Sequence, residues 1–183
     1  MQLIFLGAPG SGKGTQAERL VERNSLAHIS TGDILRAAVR DQTPLGLEAN
    51  KYMSAGQLVP DSVVIGLVEE RLKQPDTEAG FILDGFPRTT AQADALGALA
   101  EGLGKPIEAV VYLEVGEEEL VSRLLGRGRA DDNEETIRTR LSVYRSQTEP
   151  LISYYEEKGL LKRVEGMGTM DEITDRISVA VGA

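Results

Sequence analysis

The stretch Gln2-Leu3-Ile4-Phe5-Leu6-Gly7-Ala8-Pro9-Gly10-Ser11-Gly12-Lys13-Gly14-Thr15 decides the fold. Its apolar run is continuous rather than alternating, which predicts a strand covered on both faces, as in a parallel sheet. A glycine-rich turn follows, and Gln16-Ala17-Glu18-Arg19-Leu20-Val21 opens a helical pattern. That order makes backbone N–H groups and the positive end of a helix converge on one point, which suits phosphate. Lys13 adds a mobile cation with the reach for the outer phosphates of a nucleoside triphosphate. Gly7, Gly12 and Lys13 fit the phosphate-loop spacing G-x-x-x-x-G-K-[ST]. Gly14 occupies the position of the usual hydroxyl residue, and the hydroxyl arrives one residue later at Thr15. Thr15 is therefore not assigned to a metal directly.

Outward from this stretch, apolar runs alternate with helical patterns. Strands are expected at 2–6, 26–29, 80–83, 109–114 and 160–164. Helices are expected at 13–24, 31–40, 61–73, 90–102, 116–126, 134–157 and 170–181. Strand–helix alternation predicts an α/β fold with a doubly wound, five-stranded parallel sheet and helices on both faces. Two regions depart from simple alternation. Residues 30–60 insert two helical segments, punctuated at Thr43-Pro44 and Val59-Pro60, where the residue before proline leaves the helical region. Residues 126–132 form a compact polar loop with Gly126 and Gly128, and Asp131 with Glu134 resembles a capping box for the helix that follows. Pro150 should kink or interrupt that helix.

The 183 residues, 41% of them hydrophobic, suit one compact domain. No apolar run approaches the roughly 18–20 residues of a membrane helix, and the short N-terminal apolar run lacks a preceding basic region. A cytoplasmic protein with no membrane partner is expected. The absence of cysteine excludes disulfides and thiolate metal sites. A net charge of −9 argues against nucleic acid as a partner, so a polyphosphate must meet a local cationic cluster. Fourteen of the twenty basic residues are arginine, the side chain suited to bidentate phosphate contact.

Phe81-Ile82-Leu83-Asp84 ends an apolar strand in a carboxylate. Strand carboxyl ends face the ligand crevice in such sheets. If this strand neighbours residues 2–6, Asp84 lies beside the phosphate loop and can orient hydrated magnesium. Gly85-Phe86-Pro87-Arg88 follows as a tight turn able to aim Arg88 into the same crevice. The single histidine, His28, sits near a strand end and reads as a packing or hydrogen-bonding residue.

Five segments in this order, residues 7–15, His28-Ile29-Ser30-Thr31-Gly32-Asp33-Ile34-Leu35-Arg36, Gly56-Gln57-Leu58-Val59-Pro60-Asp61, residues 84–88 and Asp131-Asp132-Asn133-Glu134-Glu135-Thr136, resemble the adenylate kinase family in its short-lid form. The resemblance covers essentially the whole chain. It implies a phosphate-loop nucleotide-binding fold in one domain of 1–183, with a core of 1–29, 60–125 and 133–183, an AMP-binding insert at 30–59 and a very short lid at 126–132. It implies magnesium-dependent transfer of a phosphoryl group from ATP to AMP, giving two ADP. Gly10, Ser11, Gly12, Lys13, Gly14 and Thr15 would cradle ATP phosphates, with Arg123 and Arg127 beside them and a backbone group near Gly168 at the adenine. Thr31, Arg36, Gln57, Leu58, Val59, Gly85, Phe86, Pro87, Arg88 and Gln92 would surround AMP, and the Phe86–Pro87 bond would be cis. Lys13, Arg88, Arg123, Arg129 and Arg140 would act on the transferring group, Arg129 and Arg140 also meeting AMP. The lid has no room and no ligands for the zinc that some long-lid relatives carry.

The residue types suit that chemistry. A phosphate monoester has a second pKa near 6, so at neutral pH it is already a dianionic nucleophile and requires no general base. In-line positioning and charge stabilisation are what remain. Two alternatives stay open: a UMP or CMP kinase on the same fold, disfavoured because Thr31 and Gln92 stand where adenine-specific members carry them, and a nucleotide-binding switch without transfer, disfavoured by the second set of arginines. A monomer is expected, since no apolar face is left unclaimed.

Overall fold

The computed structural model describes residues 1–129 and 132–183. Five parallel strands, β1 (Gln2–Leu6), β2 (Ala27–Ser30), β3 (Phe81–Asp84), β4 (Ala109–Glu114) and β5 (Leu161–Glu165), lie in the order β2-β3-β1-β4-β5. Their side chains divide by the two-residue period of a strand. Ile4, Leu6, Ile29, Leu83 and Val110 pack into one apolar cluster, while Leu3, Phe5, Ile82, Val111 and Leu113 pack into another. The first cluster is completed by helices α2 (Thr31–Arg40), α3 (Pro44–Met53), α4 (Asp61–Leu72), α5 (Thr90–Gly102) and α8 (Leu151–Glu157); the second by α1 (Lys13–Asn24) and α9 (Met170–Val181). Continuous apolar strands thus have an apolar layer on each face, as their composition required. A third, smaller cluster joins Ala8 to Leu120 and Leu124 of α6 (Glu117–Arg127) and to Ile137 and Leu141 of α7 (Glu134–Val143), packing these helices beside the glycine-rich turn.

β1 is central, with Phe5 opposite Asp84 of β3 and Val111 of β4. The chain turns one way from β1 to β2 and the other way on reaching β4, so the carboxyl end of β1 lies at a switch point of the sheet, where such folds hold ligands.

Several expected boundaries shift. β2, β3 and β5 each begin and end one residue later than the expected spans; in β2 and β3 the added residues, Ser30 and the strand-ending Asp84, pair with each other at the ladder's end. A short 3₁₀ turn at Pro75–Thr77 was not expected. The helix expected over 134–157 is broken, with a π-wound segment Tyr144–Thr148 between α7 and α8. Pro150 is the cause, acting upstream of itself. It has no N–H for the Ser146 carbonyl and its ring crowds that carbonyl. The preceding turn widens, and Glu149 N–H donates to Tyr144 O, five residues back, at 2.8 Å. α7 is capped by Asn133, whose side chain accepts from Thr136 N–H at 2.9 Å; Asp131, the expected cap, lies outside the described residues. α6 extends to Arg127 and ends on Gly128 in the left-handed region, so the expected lid boundary at 126 falls within a helix.

α2 and α3 pack so closely that a Cβ on Gly46 would stand 1.9 Å from the carbonyl oxygen of Ala38. Gly46→Ala is expected to destabilise the protein by at least about 1–3 kcal/mol, the range for overpacking. Gly97→Ala, within α5 and with no heavy atom within 4 Å of the new methyl, should stabilise by about 0.5–1 kcal/mol. Urea unfolding followed by circular dichroism checks both; a neutral Gly46→Ala would contradict the close approach.

Candidate active site

The turn after β1 delivers the chain into α1 through Gly12, whose φ of 94° lies in the left-handed region that favours glycine. No side chain caps α1 and no acid occupies its first turn, so its leading N–H groups are left to a ligand. The Ser11 hydroxyl is buried with no hydrogen-bond partner among the described residues. Lys13 folds back over the turn and donates to the carbonyls of Gly7 at 2.8 Å and Ala8 at 3.0 Å.

A cavity of about 580 Å³ begins here. Its walls include residues 10–15, Asp84, Pro87, Arg88, Arg123, Arg127, Arg129, Arg140 and Gly168. A smaller cavity of about 70 Å³ adjoins it, walled by Thr31, Gln57, Leu58, Val59 and Gln92 among others. Arg36, Gly85, Arg88 and Arg140 line both, so the two spaces meet at a set of guanidinium groups. The structure therefore brings nearly every residue singled out from the sequence to one crevice. Phe86 is the exception: its ring is 1% exposed and belongs to the core, while its peptide bond to Pro87 is cis.

The charges interact strongly. Burial pushes the Lys13 ammonium down to about 8, Asp84 opposes this, and Arg88, Arg140 and Arg127 add to it. Burial alone would push the Asp84 carboxyl up, but His28, Lys13 and Arg88 outweigh it and hold the group below the usual carboxylate range. His28 sits with Nε2 3.8 Å from Asp84 Oδ2. Arg88 is half-buried, and that desolvation together with the nearby Arg140 lowers its pKa. Its backbone and side chain are pinned. Nε donates to Gly85 O at 2.8 Å, N–H donates to Gln92 Oε1 at 2.7 Å, and its carbonyl accepts from Thr148 at 2.7 Å.

Carboxylates hold the other arginines. Arg36 pairs with Asp33, and Arg123 with Glu119 while also donating to Gly166 O. Arg127 makes two bonds to Asp132, at 2.8 and 2.6 Å, and Arg140 bonds the same carboxylate at 3.2 Å. Burial raises the Asp132 carboxyl, but Arg127 and its neighbours bring it below the usual range. The backbone N–H of Arg129 also donates to Asp132.

Sequence reasoning missed several contributors. Asp132 as a shared counter-ion, Thr148 behind Arg88, and Asp61 and Thr89 around Gln92 were not assigned; Thr148 and Asp61 act through contacts distant in sequence. Met170 and Ile173, beside Gly168 in the larger cavity, carry no local signal because α9 reads as an ordinary amphipathic helix. Asp61 and Asp132 were reachable, since each lies inside a quoted motif.

The sequence model of the family described as Adenylate kinase matches residues 5–160. Among curated relatives, an adenylate kinase of Leptospira biflexa serovar Patoc is 54% identical over 180 residues, covering 96% of this chain and 97% of its own. One from Geobacter sp. (strain M21) is 50% identical, and one from Xanthomonas campestris pv. campestris (strain 8004) 52% identical, each with both chains wholly covered.

A Lys13 ammonium titrating near 8 is mostly neutral at pH 8.5 in the ligand-free protein. A polyphosphate placed against it favours the charged form, so binding should draw a proton from solution. Calorimetry of ATP binding in buffers of different ionisation enthalpy should register uptake of more than about half a proton at pH 8.5, shrinking toward pH 7. Lys13→Arg, whose guanidinium does not titrate, should abolish that uptake. Equal proton counts for the two proteins would refute the assignment.

Proposed function

Because the chain belongs to the adenylate kinase family, it is an ATP:AMP phosphotransferase, and we propose that the larger cavity takes ATP, the smaller takes the base of AMP, and the arginines at their junction stabilise the group in flight. The observation that carries this reading is the shared wall: Arg36, Arg88 and Arg140 line both spaces, so two phosphate chains would meet tail to tail there.

The first helical turn and residues 10–15 supply fixed N–H donors to the ATP phosphates. Lys13, released from the Gly7 and Ala8 carbonyls, would follow the outermost phosphate. Arg88 stands at the junction with its backbone held at both ends, the preorganisation that charge stabilisation needs. Arg123, Arg127, Arg129 and Arg140 would close over the site, with Arg123, Arg127 and Arg140 exchanging a carboxylate or carbonyl partner for phosphate oxygen. Closure over the pair would exclude water, which otherwise competes for the phosphoryl group. AMP itself is the nucleophile. His28, on β2 with Nε2 3.8 Å from Asp84, has no part in proton transfer, because the AMP dianion needs no base.

Magnesium fits this donor set. Among the described residues no three His, Cys, Asp or Glu side chains group into a metal cage. Asp84, whose carboxylate lies against Gly14, borders the phosphate turn, and magnesium usually keeps several waters and takes one or two carboxylates plus phosphate oxygens. When bound beside Asp84 it would supply charge neutralisation to the ATP phosphates. Zinc is left out of the proposal. Among the described residues no helix is long and apolar enough to cross a membrane.

A coupled assay should give two ADP for each AMP consumed, with AMP favoured over CMP, UMP and GMP. ATP hydrolysis independent of AMP would overturn the transfer reading. Chelation of magnesium should abolish turnover. Arg88→Ala should cost at least about 10²–10³ in kcat while leaving the fold intact by circular dichroism, as expected for loss of a transition-state donor.

A further inference from the structure

Gln92 is 2% exposed, stands in α5, and presents its amide to the wall of the smaller cavity beside Leu58 and Val59. The two ends of a primary amide differ only in what they offer, so its orientation is decided by its partners. Here the partners leave no choice. The backbone N–H of Arg88 can only donate, and it meets Oε1 at 2.7 Å. The Asp61 carboxylate accepts, and it meets Nε2 at 2.7 Å. Thr89 completes the clasp, sharing its hydroxyl with the Asp61 carboxylate at 3.3 Å and accepting from Gln92 N–H at 3.2 Å. One amide hydrogen and one oxygen lone pair remain for a ligand, in a fixed order.

From this geometry we propose that Asp61 is a specificity-determining positioning residue: by fixing which end of the Gln92 amide donates, it selects a base whose amino group and ring nitrogen match that order. Adenine offers a donor amino group beside an acceptor nitrogen. Hypoxanthine offers a carbonyl beside an N–H, the same edge with donor and acceptor exchanged, and would suit the amide turned over. The inference rests on the reading of the smaller cavity as the AMP base site. A plainer role exists for Asp61, as an acid in the first turn of α4 that favours the helix dipole. That role would affect stability and not base choice.

The test compares kcat/KM for AMP and for IMP, with ATP as donor. Asp61→Leu keeps the approximate shape and removes the acceptor; it should lower the AMP-to-IMP ratio at least about tenfold, mainly through KM, because a mispaired polar edge is what such sites penalise. Asp61→Asn, whose amide oxygen still accepts, should hold the ratio within about threefold. An unchanged ratio in Asp61→Leu overturns the proposal, as does an equal loss for both substrates. If Asp61→Leu does not fold, NMR of the wild-type protein decides. The Gln92 side-chain amide protons should exchange with solvent far more slowly than those of exposed Gln74, and equal exchange overturns the clasp. A wild-type enzyme that prefers CMP to AMP defeats the cavity reading and this inference together, whereas an AMP-selective wild type with an unmoved Asp61→Leu ratio defeats the inference alone.

Discussion

Everything in this molecule is arranged around the cost of bringing like charges together at the end of β1. Lys13, Arg88, Arg127 and Arg140 lie close enough to depress the Lys13 ammonium, and they adjoin the positive end of α1. Such a cluster is unstable unless it is compensated. The compensation here is distributed among Asp84 beside Lys13, Asp132 between Arg127 and Arg140, Asp33 on Arg36 and Glu119 on Arg123. The three carboxylates that face arginine, Asp132, Asp33 and Glu119, suit the same guanidinium fork that phosphate oxygen would. A polyanion entering the crevice therefore meets cations already desolvated and aimed, and exchanges one set of oxygens for another.

The sheet makes this gathering feasible. Parallel strands align their carboxyl ends on one edge, so the turn after β1 and the polar ends of β2 and β3 become neighbours without any long-range design. Ser30 opposite Asp84, and Asp84 opposite Phe5, follow from register alone. The apolar layers on both faces then fix that register, since a slip by one residue would exchange the two sets of core side chains. Stability of the core and accuracy of the site are in this sense one property.

Much of this was legible in the chain. The continuous apolar runs state that the strands are covered twice, and the glycine spacing with Lys13 states where phosphate goes. What was not legible depends on tertiary partners. The end of β2 was placed one residue early because Ser30 looks like loop until Asp84, the carboxylate that ends β3, stands beside it. Pro150 announced that its helix would be interrupted, but not that the misfit would be relieved upstream as a π-wound turn at Tyr144–Thr148, in residues that carry no mark of it. Asp61 and Gln92 are thirty-one residues apart, and their clasp exists only once α4 and α5 lie side by side. Local periodicity reports which face of an element is buried; it does not report which buried polar group will find which partner.

A protein of net charge −9 that handles polyanions poses a last question of scale. Over distance its acidic surface opposes an approaching nucleotide. At physiological ionic strength, however, charges farther than about 8 Å are largely screened where solvent separates them. Inside the crevice that screening fails, because walls and packed side chains replace salt water. The nearest charges dominate, and among those lining the larger cavity Lys13 and six arginines outnumber Glu18, Asp33 and Asp84. Acidity of the whole and basicity of the site thus act over different ranges and hardly compete. The exterior can carry excess carboxylate while the crevice remains selective for phosphate, provided the cations are buried rather than spread over the surface. Arg88 meets that condition most fully, held by its own backbone contacts at the junction of the two cavities.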